Sequence, residues 1–221
     1  MLRCAASFVV AVYVHIHLTP QDLRALPADF LRSRRKHLSC EATDMDEASE
    51  TIRKNQEIAE KFARIEAELP LFSEPGELFE KLLLRLQKEF AVPFVWLSIV
   101  NRPDVGSFVQ TLMASRILAD RLNFIDETPF LELVSQGETP VLANKDLHPF
   151  YRLFPKNKKF FIKSIAVAPI MLDGQVIGSI NYGDAENQRY EPGMDTSLLQ
   201  HLTGEVSSCL TRLLKANPPL L

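Results

Sequence analysis

Glycine is scarce, with eight residues in 221, and none of them falls in a G-x-x-x-x-G-K, G-x-G-x-x-G or G-x-S-x-G run. A phosphate cradle, a dinucleotide turn and a hydrolase elbow therefore have no backbone to form from. Cysteine is rarer still. Cys4, Cys40 and Cys209 are widely spaced, odd in number and in no C-x-x-C pair, which excludes a disulfide framework and a cysteine zinc site and fits a reducing cytoplasm. Neither sign of charge dominates: 25 Lys and Arg stand against 28 Asp and Glu, a net charge of −3. Without a basic excess to neutralise phosphates, nucleic acid is not an expected partner. Long apolar runs are missing too. The opening run, Cys4 to Val14 behind Arg3, is too short to span a bilayer as a helix, so no membrane association is expected. It has the length of a signal-peptide core but leads into His15, Ile16 and His17 instead of a small-x-small cleavage site.

The chain does have the means to build a core, since hydrophobic residues make up 46% and charged residues 24%, the proportions of an ordinary globular domain. Its length suits one domain with an appendage. Residues 1–44 carry +2 and the remainder −5; the first segment also holds Pro20, Pro27 and the basic group Arg32, Arg34, Arg35 and Lys36. These features predict a leader outside the domain, flexible or weakly helical, with a possible second translation start at Met45. His15 and His17 lack a third ligand nearby, so no metal is expected there.

From Asp46 to Leu69 there is neither Pro nor Gly, and helix formers dominate, which predicts a long helix ended by Pro70. Thr51, Asn55, Ile58, Phe62, Ile65, Leu69 and Phe72 step by four and three. That is the spacing of a two-stranded coiled-coil seam with one polar residue, or of an amphipathic helix lying on its own domain. The working division is 46–72 for this helix, 73–215 for the domain and 216–221 for a tail.

Ser73 as N-cap, with Leu78, Phe79, Leu82, Leu83 and Leu86, predicts a second helix reaching Phe90. Phe94 to Val100 reads as a strand covered on both sides, with Val95, Leu97 and Ile99 on one face and Phe94, Trp96, Ser98 and Val100 on the other. Ser107 to Leu122 reads equally as strand or helix; a helix near Pro129 to Ser135 and a strand at Thr139 to Ala143 follow. Asp173-Gly174 between two apolar runs signals a hairpin. A two-residue turn with no interruption places Leu172 opposite Gln175, Ile170 opposite Ile177, Ala168 opposite Ser179 and Ala166 opposite Asn181, all on one face. Ile165, Val167, Met171, Val176, Ile180 and Tyr182 then form the other, bulky face, expected to meet helices. Asp195 to Lys215 closes the domain as a helix with Leu199, Leu202, Val206, Cys209 and Leu213 along one stripe.

Ser164-Ile165-Ala166-Val167-Ala168-Pro169-Ile170, Gly174-Gln175-Val176-Ile177-Gly178-Ser179 and Gly183-Asp184, with a helix after Asp195, resemble the second half of a GAF domain. Gln188-Arg189-Tyr190-Glu191-Pro192-Gly193-Met194 is similar to an uncharacterised bacterial GAF-like family with an Arg-aromatic-x-Pro-x-Met run before its last helix. Phe94-Val95-Trp96-Leu97-Ser98 and Asn55-Gln56-Glu57 fit it also; Asp195 and Ser197 depart from the Gly-Thr-Asp expected after Met194. The resemblance spans about residues 46 to 215. It implies an α+β fold: an antiparallel sheet of about six strands with helices on both faces, preceded by the long N-terminal helix. It also implies a class used for small-molecule binding and for dimerisation through terminal helices.

Specific GAF chemistries find little support. Asn144-Lys145 lacks the later Phe-x-x-x-Asp-Glu of cyclic-nucleotide domains. Covalent bilin attachment and methionine sulfoxide reduction both need a thiol at the pocket, and Cys209 lies on an apolar stripe. No catalytic residue, metal ligand or cofactor is therefore expected. Ala166, Ala168, Ser179 and Asn181, bordered by Trp96 and Ser98, are the candidate small-molecule pocket, because small side chains leave volume and Ser and Asn orient a ligand. The alternative is that they let a helix approach closely. His148 and Tyr151 join as candidates beside Arg152, Lys156, Lys158, Lys159 and Lys163, a loop suited to an anionic ligand or a solvated basic loop. Candidate dimer-interface residues are Asn55, Ile58, Phe62, Ile65, Leu69, Leu202, Val206 and Leu213. The expected function is a cytoplasmic, non-catalytic regulatory module: a homodimer that binds a small molecule and reports to a separate output protein. The alternative is a scaffold with a collapsed pocket.

Overall fold

A computed structural model describes residues 48–134, 137–154 and 160–216. The expected leader, His15, His17, Lys156, Lys158, Lys159 and the tail past Ala216 lie outside the described residues. The chain divides into two units between Gln56 and Glu57, and the second, Glu57–Leu221, contains every strand described.

Residues 48–66 are helical (α1), and Pro70 falls in the 3₁₀ turn Leu69–Leu71 that follows. Helix α2, Pro75–Glu89, starts on the Pro that helix N-termini favour, with Glu77 in its first turn and Lys88 in its last, each the charge that end of the dipole prefers. Glu74, not Ser73, holds the N-cap position. Leu78, Phe79, Leu82, Leu83 and Leu86 form the buried stripe.

Strand β1, Phe94–Val100, spans the expected residues. The ambiguous stretch after it is helical, as α3, Gly106–Met113, and α4, Arg116–Ala119. Phe108 and Leu112, four apart, are its buried residues in α3, and Ser115 caps α4 by accepting the N–H of Leu118 at 3.1 Å. These helices carry the crossover that a parallel neighbour requires, and β2, Leu122–Ile125, pairs parallel to β1. Then come α5, Glu127–Leu133, and β3, Val141–Ala143, followed by the hairpin β4, Ser164–Leu172, and β5, Gln175–Asp184. Among the described residues the sheet has five strands, ordered β2-β1-β5-β4-β3. It is close to the expected antiparallel sheet of about six strands and departs from it in the one parallel pair.

Asp173 and Gly174 both have positive φ, 47° and 79°, so the turn is the left-handed type that hairpins favour, and Leu172 faces Gln175 as expected. The pairing then departs from expectation. Met171 faces Val176 and Ile170 faces Gly178, leaving Ile177 as the extra residue of a β-bulge. Beyond it Pro169 faces Ser179, Ala168 faces Ile180, Val167 faces Asn181 and Ala166 faces Tyr182. A one-residue slip exchanges faces, so Ala166 and Ala168 share a face with Ile180 and Tyr182, while Ser179 and Asn181 share the opposite one with Val167. The expected four-residue patch and the expected bulky face are both divided. Gly178 lies next to the bulge: a Cβ there would stand 2.3 Å from the Ser98 carbonyl oxygen on β1, so β5 presses on β1 at a point that admits no side chain.

Two apolar clusters result. Val95, Leu97, Ile99, Ala166, Ala168, Ile170, Ile180 and Tyr182 pack with α2 and with the last helix, α6, Ser197–Ala216. Trp96, Val100, Ile165 and Val167 pack with Phe130 of α5, Leu153, Phe154 and Ile162. Past the end of β3, the outer edge of β4 is blunted: Pro169 has no N–H to offer, and the Met171 N–H donates to Ser207 Oγ of α6 at 2.9 Å.

Asp195 and Ser197, the two residues departing from the resembled pattern, meet where α6 begins: Asp195 accepts the N–H of Ser197 at 2.9 Å, which lowers its carboxyl pKa. On the same helix, His201 Nδ1 lies 3.0 Å from Glu66 Oε1. The hydrogen bond to Glu66, then its charge, raise the His201 pKa. Stability from this pair is therefore full below the unfolded value of about 6.5 and fades as pH rises through the raised folded value. The imidazole is largely exposed, so the loss should stay below about 1 kcal/mol. His201→Gln should flatten this part of the stability profile from about pH 6.5 upward in urea titrations; a variant whose slope matches the parent would remove the pair from the account.

Candidate functional site

Strand register brings four of the expected site residues together. Ser98 stands opposite Ser179 and Trp96 opposite Asn181 across β1 and β5, and all four side chains are almost wholly buried. Their polar atoms form one relay. Ser179 Oγ donates to Asn181 Oδ1 at 2.9 Å, Asn181 Nδ2 donates to Ser98 Oγ at 2.9 Å, and Ser98 Oγ donates to the Leu153 carbonyl at 3.4 Å. Trp96 Nε1 donates to that same carbonyl at 2.5 Å. Two donors therefore converge on one oxygen inside a cluster that is otherwise apolar.

That oxygen belongs to the segment covering this face. The 3₁₀ turn His148–Arg152 buries none of its own side chains, whereas Leu153 and Phe154 after it insert into the cluster. Asn123 of β2 holds the segment from the side, its Nδ2 donating to the Arg152 carbonyl at 2.7 Å. Rings connect the interior to the surface: Trp96 to Phe154 at 6.0 Å, Phe154 to Tyr151 at 5.5 Å and Tyr151 to His148 at 5.6 Å between centroids. His148 and Tyr151 thus occupy the outer end of a file that begins at Trp96. Ala166 and Ala168 lie across the sheet in the cluster beneath α2 and α6, where their small size admits close helix packing. Leu153, Phe154 and Asn123 were not foreseen; the apolar pair Leu153-Phe154 within a basic, polar loop was the available signal.

The candidate interface residues divide in the same way. Asn55 is exposed and Ile58 is 39% exposed. Phe62 is half-buried, its ring 4.6 Å from that of Phe90. Ile65, Leu69, Leu202, Val206 and Leu213 are buried in this chain's own helix-side cluster, so the amphipathic-helix reading describes that part of the stripe.

The run around Arg189 has a structural assignment. Its guanidinium donates to the Phe90 carbonyl at the end of α2, pairs with Asp184 Oδ2 of β5 at 3.3 Å, and stands 5.9 Å over the Tyr190 ring. Tyr190 in turn neighbours Tyr182 at 6.5 Å. Burial pushes both phenols up, Tyr190 to about 12, so they remain neutral. Elsewhere a groove of about 670 Å³ runs along α6, lined in part by Gly204, Ser207, Ser208, Thr211, Pro169 and Met171. Among the described residues no three His, Cys, Asp or Glu side chains cluster as metal ligands, and no helix is long and apolar enough to cross a membrane.

A five-stranded sheet with the terminal helices on one face and a covered polar relay on the other defines a GAF-like domain. It is similar to the crystal structure of the GAF domain from Acinetobacter phosphoenolpyruvate-protein phosphotransferase, with a TM-score of 0.51 and 14% identity over 73% of this chain and 96% of that one. The chain itself belongs to the family described as "Protein of unknown function, DUF484", which matches residues 13–215. The match begins inside the segment expected to be a leader. No curated protein matches the chain at a significant level.

Proposed function

We propose that this chain is a regulatory module without catalysis of its own. It binds a small molecule on the sheet face marked by Trp96, Ser98, Ser179 and Asn181, forms a homodimer and reports occupancy to a separate output protein in the cytoplasm. The supporting observation is the buried relay. Neutral polar groups add little to a core that apolar residues of the same shape would fill, but they orient a ligand in a mostly apolar site. Ser98 and Ser179 donate to neutral oxygens and have no general base among those partners, so neither hydroxyl is activated as a nucleophile. Native mass spectrometry of freshly purified full-length protein tests the proposal. It should show a dimer carrying a retained compound; bare protein in every preparation would favour the alternative scaffold reading, which rests on Leu153 and Phe154 filling this face.

For dimerisation, Ile58 is the informative residue, because its side chain is exposed while the later stripe is buried in the chain's own core. Ile58→Asp should convert dimer to monomer in light scattering at tens of micromolar and change stability by no more than about 0.5 kcal/mol, as exposed substitutions do. A parent that is monomeric at that concentration would remove the homodimer from the proposal.

A further inference from the structure

The reading of this face as a binding site can be taken to a ligand class and a means of control. We infer that the Leu153 carbonyl is an internal occupant of the site, standing where the acceptor oxygen of the ligand docks, and that the ligand is a small, planar, uncharged carbonyl compound of the amide or lactam type. This rests on the reading in the preceding subsection and adds what the site selects and what it must first release.

Trp96 Nε1 and Ser98 Oγ both point donors at one carbonyl oxygen. Any group replacing Leu153 there must accept two hydrogen bonds, since a buried N–H left unpaired is costly. Charge decides between a carbonyl and a carboxylate. Among the described residues no Lys, Arg or His is buried, and the one buried carboxylate, Asp184, is engaged by Arg189. A carboxylate placed against Trp96 and Ser98 would have no buried counter-ion among the described residues, and such a charge is far more expensive than a neutral oxygen. Planarity follows from the surroundings, because Phe154 meets Trp96 edge-on and its withdrawal leaves a slot beside the indole.

Occupancy by Leu153 sets the control. The covering segment is held by two inserted side chains, by the bonds to its Leu153 carbonyl and by Asn123 at the Arg152 carbonyl. A ligand competes with this closed form, so its apparent affinity falls by the fraction of molecules that are open. Asn123 contributes no bond to the relay; weakening its hold should raise ligand affinity without altering the donors.

Trp96 is the only tryptophan, so its indole N–H gives a single resonance in a ¹⁵N–¹H spectrum of the full chain. Benzamide, 2-pyridone and, as the charged counterpart, benzoate are titrated into the parent and into Asn123→Ala. Asn123→Asp, which keeps the shape but loses the donor, serves if the alanine variant does not fold. Benzamide and 2-pyridone should move the indole resonance, at about tenfold lower concentration in the Asn123 variant, while benzoate leaves it in place. Benzoate acting as well as benzamide would overturn the ligand class, and equal affinities in parent and variant would overturn the control by Leu153. No response to any probe at millimolar concentration in either protein sinks the inference whole. A retained compound in the native mass spectrum would then still leave the broader binding proposal standing.

Discussion

Gly178→Ala is expected to cost about 3 kcal/mol, at the upper end of what overpacking a filled interior does, and to lower Tm by roughly 6 to 12 °C for a chain of this size. The obstacle is backbone. A Cβ at residue 178 would meet the Ser98 carbonyl oxygen at 2.3 Å, with Ile99 Cα at 3.2 Å, and neither atom can rotate away as a side chain would. Relief would require separating β5 from β1 where Ile99 pairs with Gly178, which disturbs Ser98, the middle of the relay, as well. Gly204 of α6 is the control, since nothing lies within 4 Å of a Cβ there. Gly204→Ala should be neutral or stabilising by up to about 1 kcal/mol, the helix propensity difference. Thermal and urea unfolding of the two variants check this; a Gly178 variant as stable as the parent would refute the described approach of β5 to β1.

Arg189→Met is expected to cost roughly 2 to 3 kcal/mol, less than a fully buried pair because the guanidinium keeps partial access to water. The loss comes from what is left behind. Asp184 is buried and would keep its charge with only the Glu186 N–H on its other oxygen, and the Phe90 carbonyl would lose its donor at the end of α2. Asp184→Asn should therefore recover part of the loss in the double variant, because it removes the stranded charge. A cycle in urea should give a coupling energy of about 1 kcal/mol or more. Additive single effects, or an Arg189 variant within about 0.5 kcal/mol of the parent, would mean that this run is retained for something other than joining β5 to α2.

Much of the fold could be read from local chemistry. The span of β1 and its two faces followed from apolar residues on both alternations, and the turn from Asp173-Gly174, whose positive φ values that dipeptide favours. Helix α2 followed from the leucine spacing, with its N-cap expected one residue early, at Ser73 instead of Glu74. The crossover between β1 and β2 was harder, because α4 is only four residues long and so short a helix has too little periodicity to separate it from a strand. The site was half legible. Trp96, Ser98, Ser179 and Asn181 were named together and do meet, but Ala166 and Ala168 were added to them by assuming an unbroken ladder. An isolated glycine in a strand is a bulge signal, and Gly178 after Val176-Ile177 was that signal. Leu153 was not accessible in the same way: what it contributes is a main-chain carbonyl, which every residue has, and only the tertiary path puts this one against Trp96.

The bulge at Ile177 also limits how the length of this chain can change over time. Removing Ile177 would give an unbroken ladder in which Ile170 still faces Gly178, Pro169 still faces Ser179 and Val167 still faces Asn181, so the relay would keep its face. Inserting one residue there while the single bulge is kept would instead carry Ser179 and Asn181 to the helix side, where Leu202, Val206 and Leu210 pack. Relatives that keep the relay should therefore change the length between Gln175 and Ser179 only together with the bulge, a segment one residue shorter lacking it, or should confine changes to the turn at Asp173-Gly174, where added residues lengthen the tip and leave β5 unchanged. A homologue one residue longer there with a single bulge must have moved Ser179 and Asn181 off this face, whereas one a residue shorter should keep the Ser98, Ser179 and Asn181 set on a straight ladder.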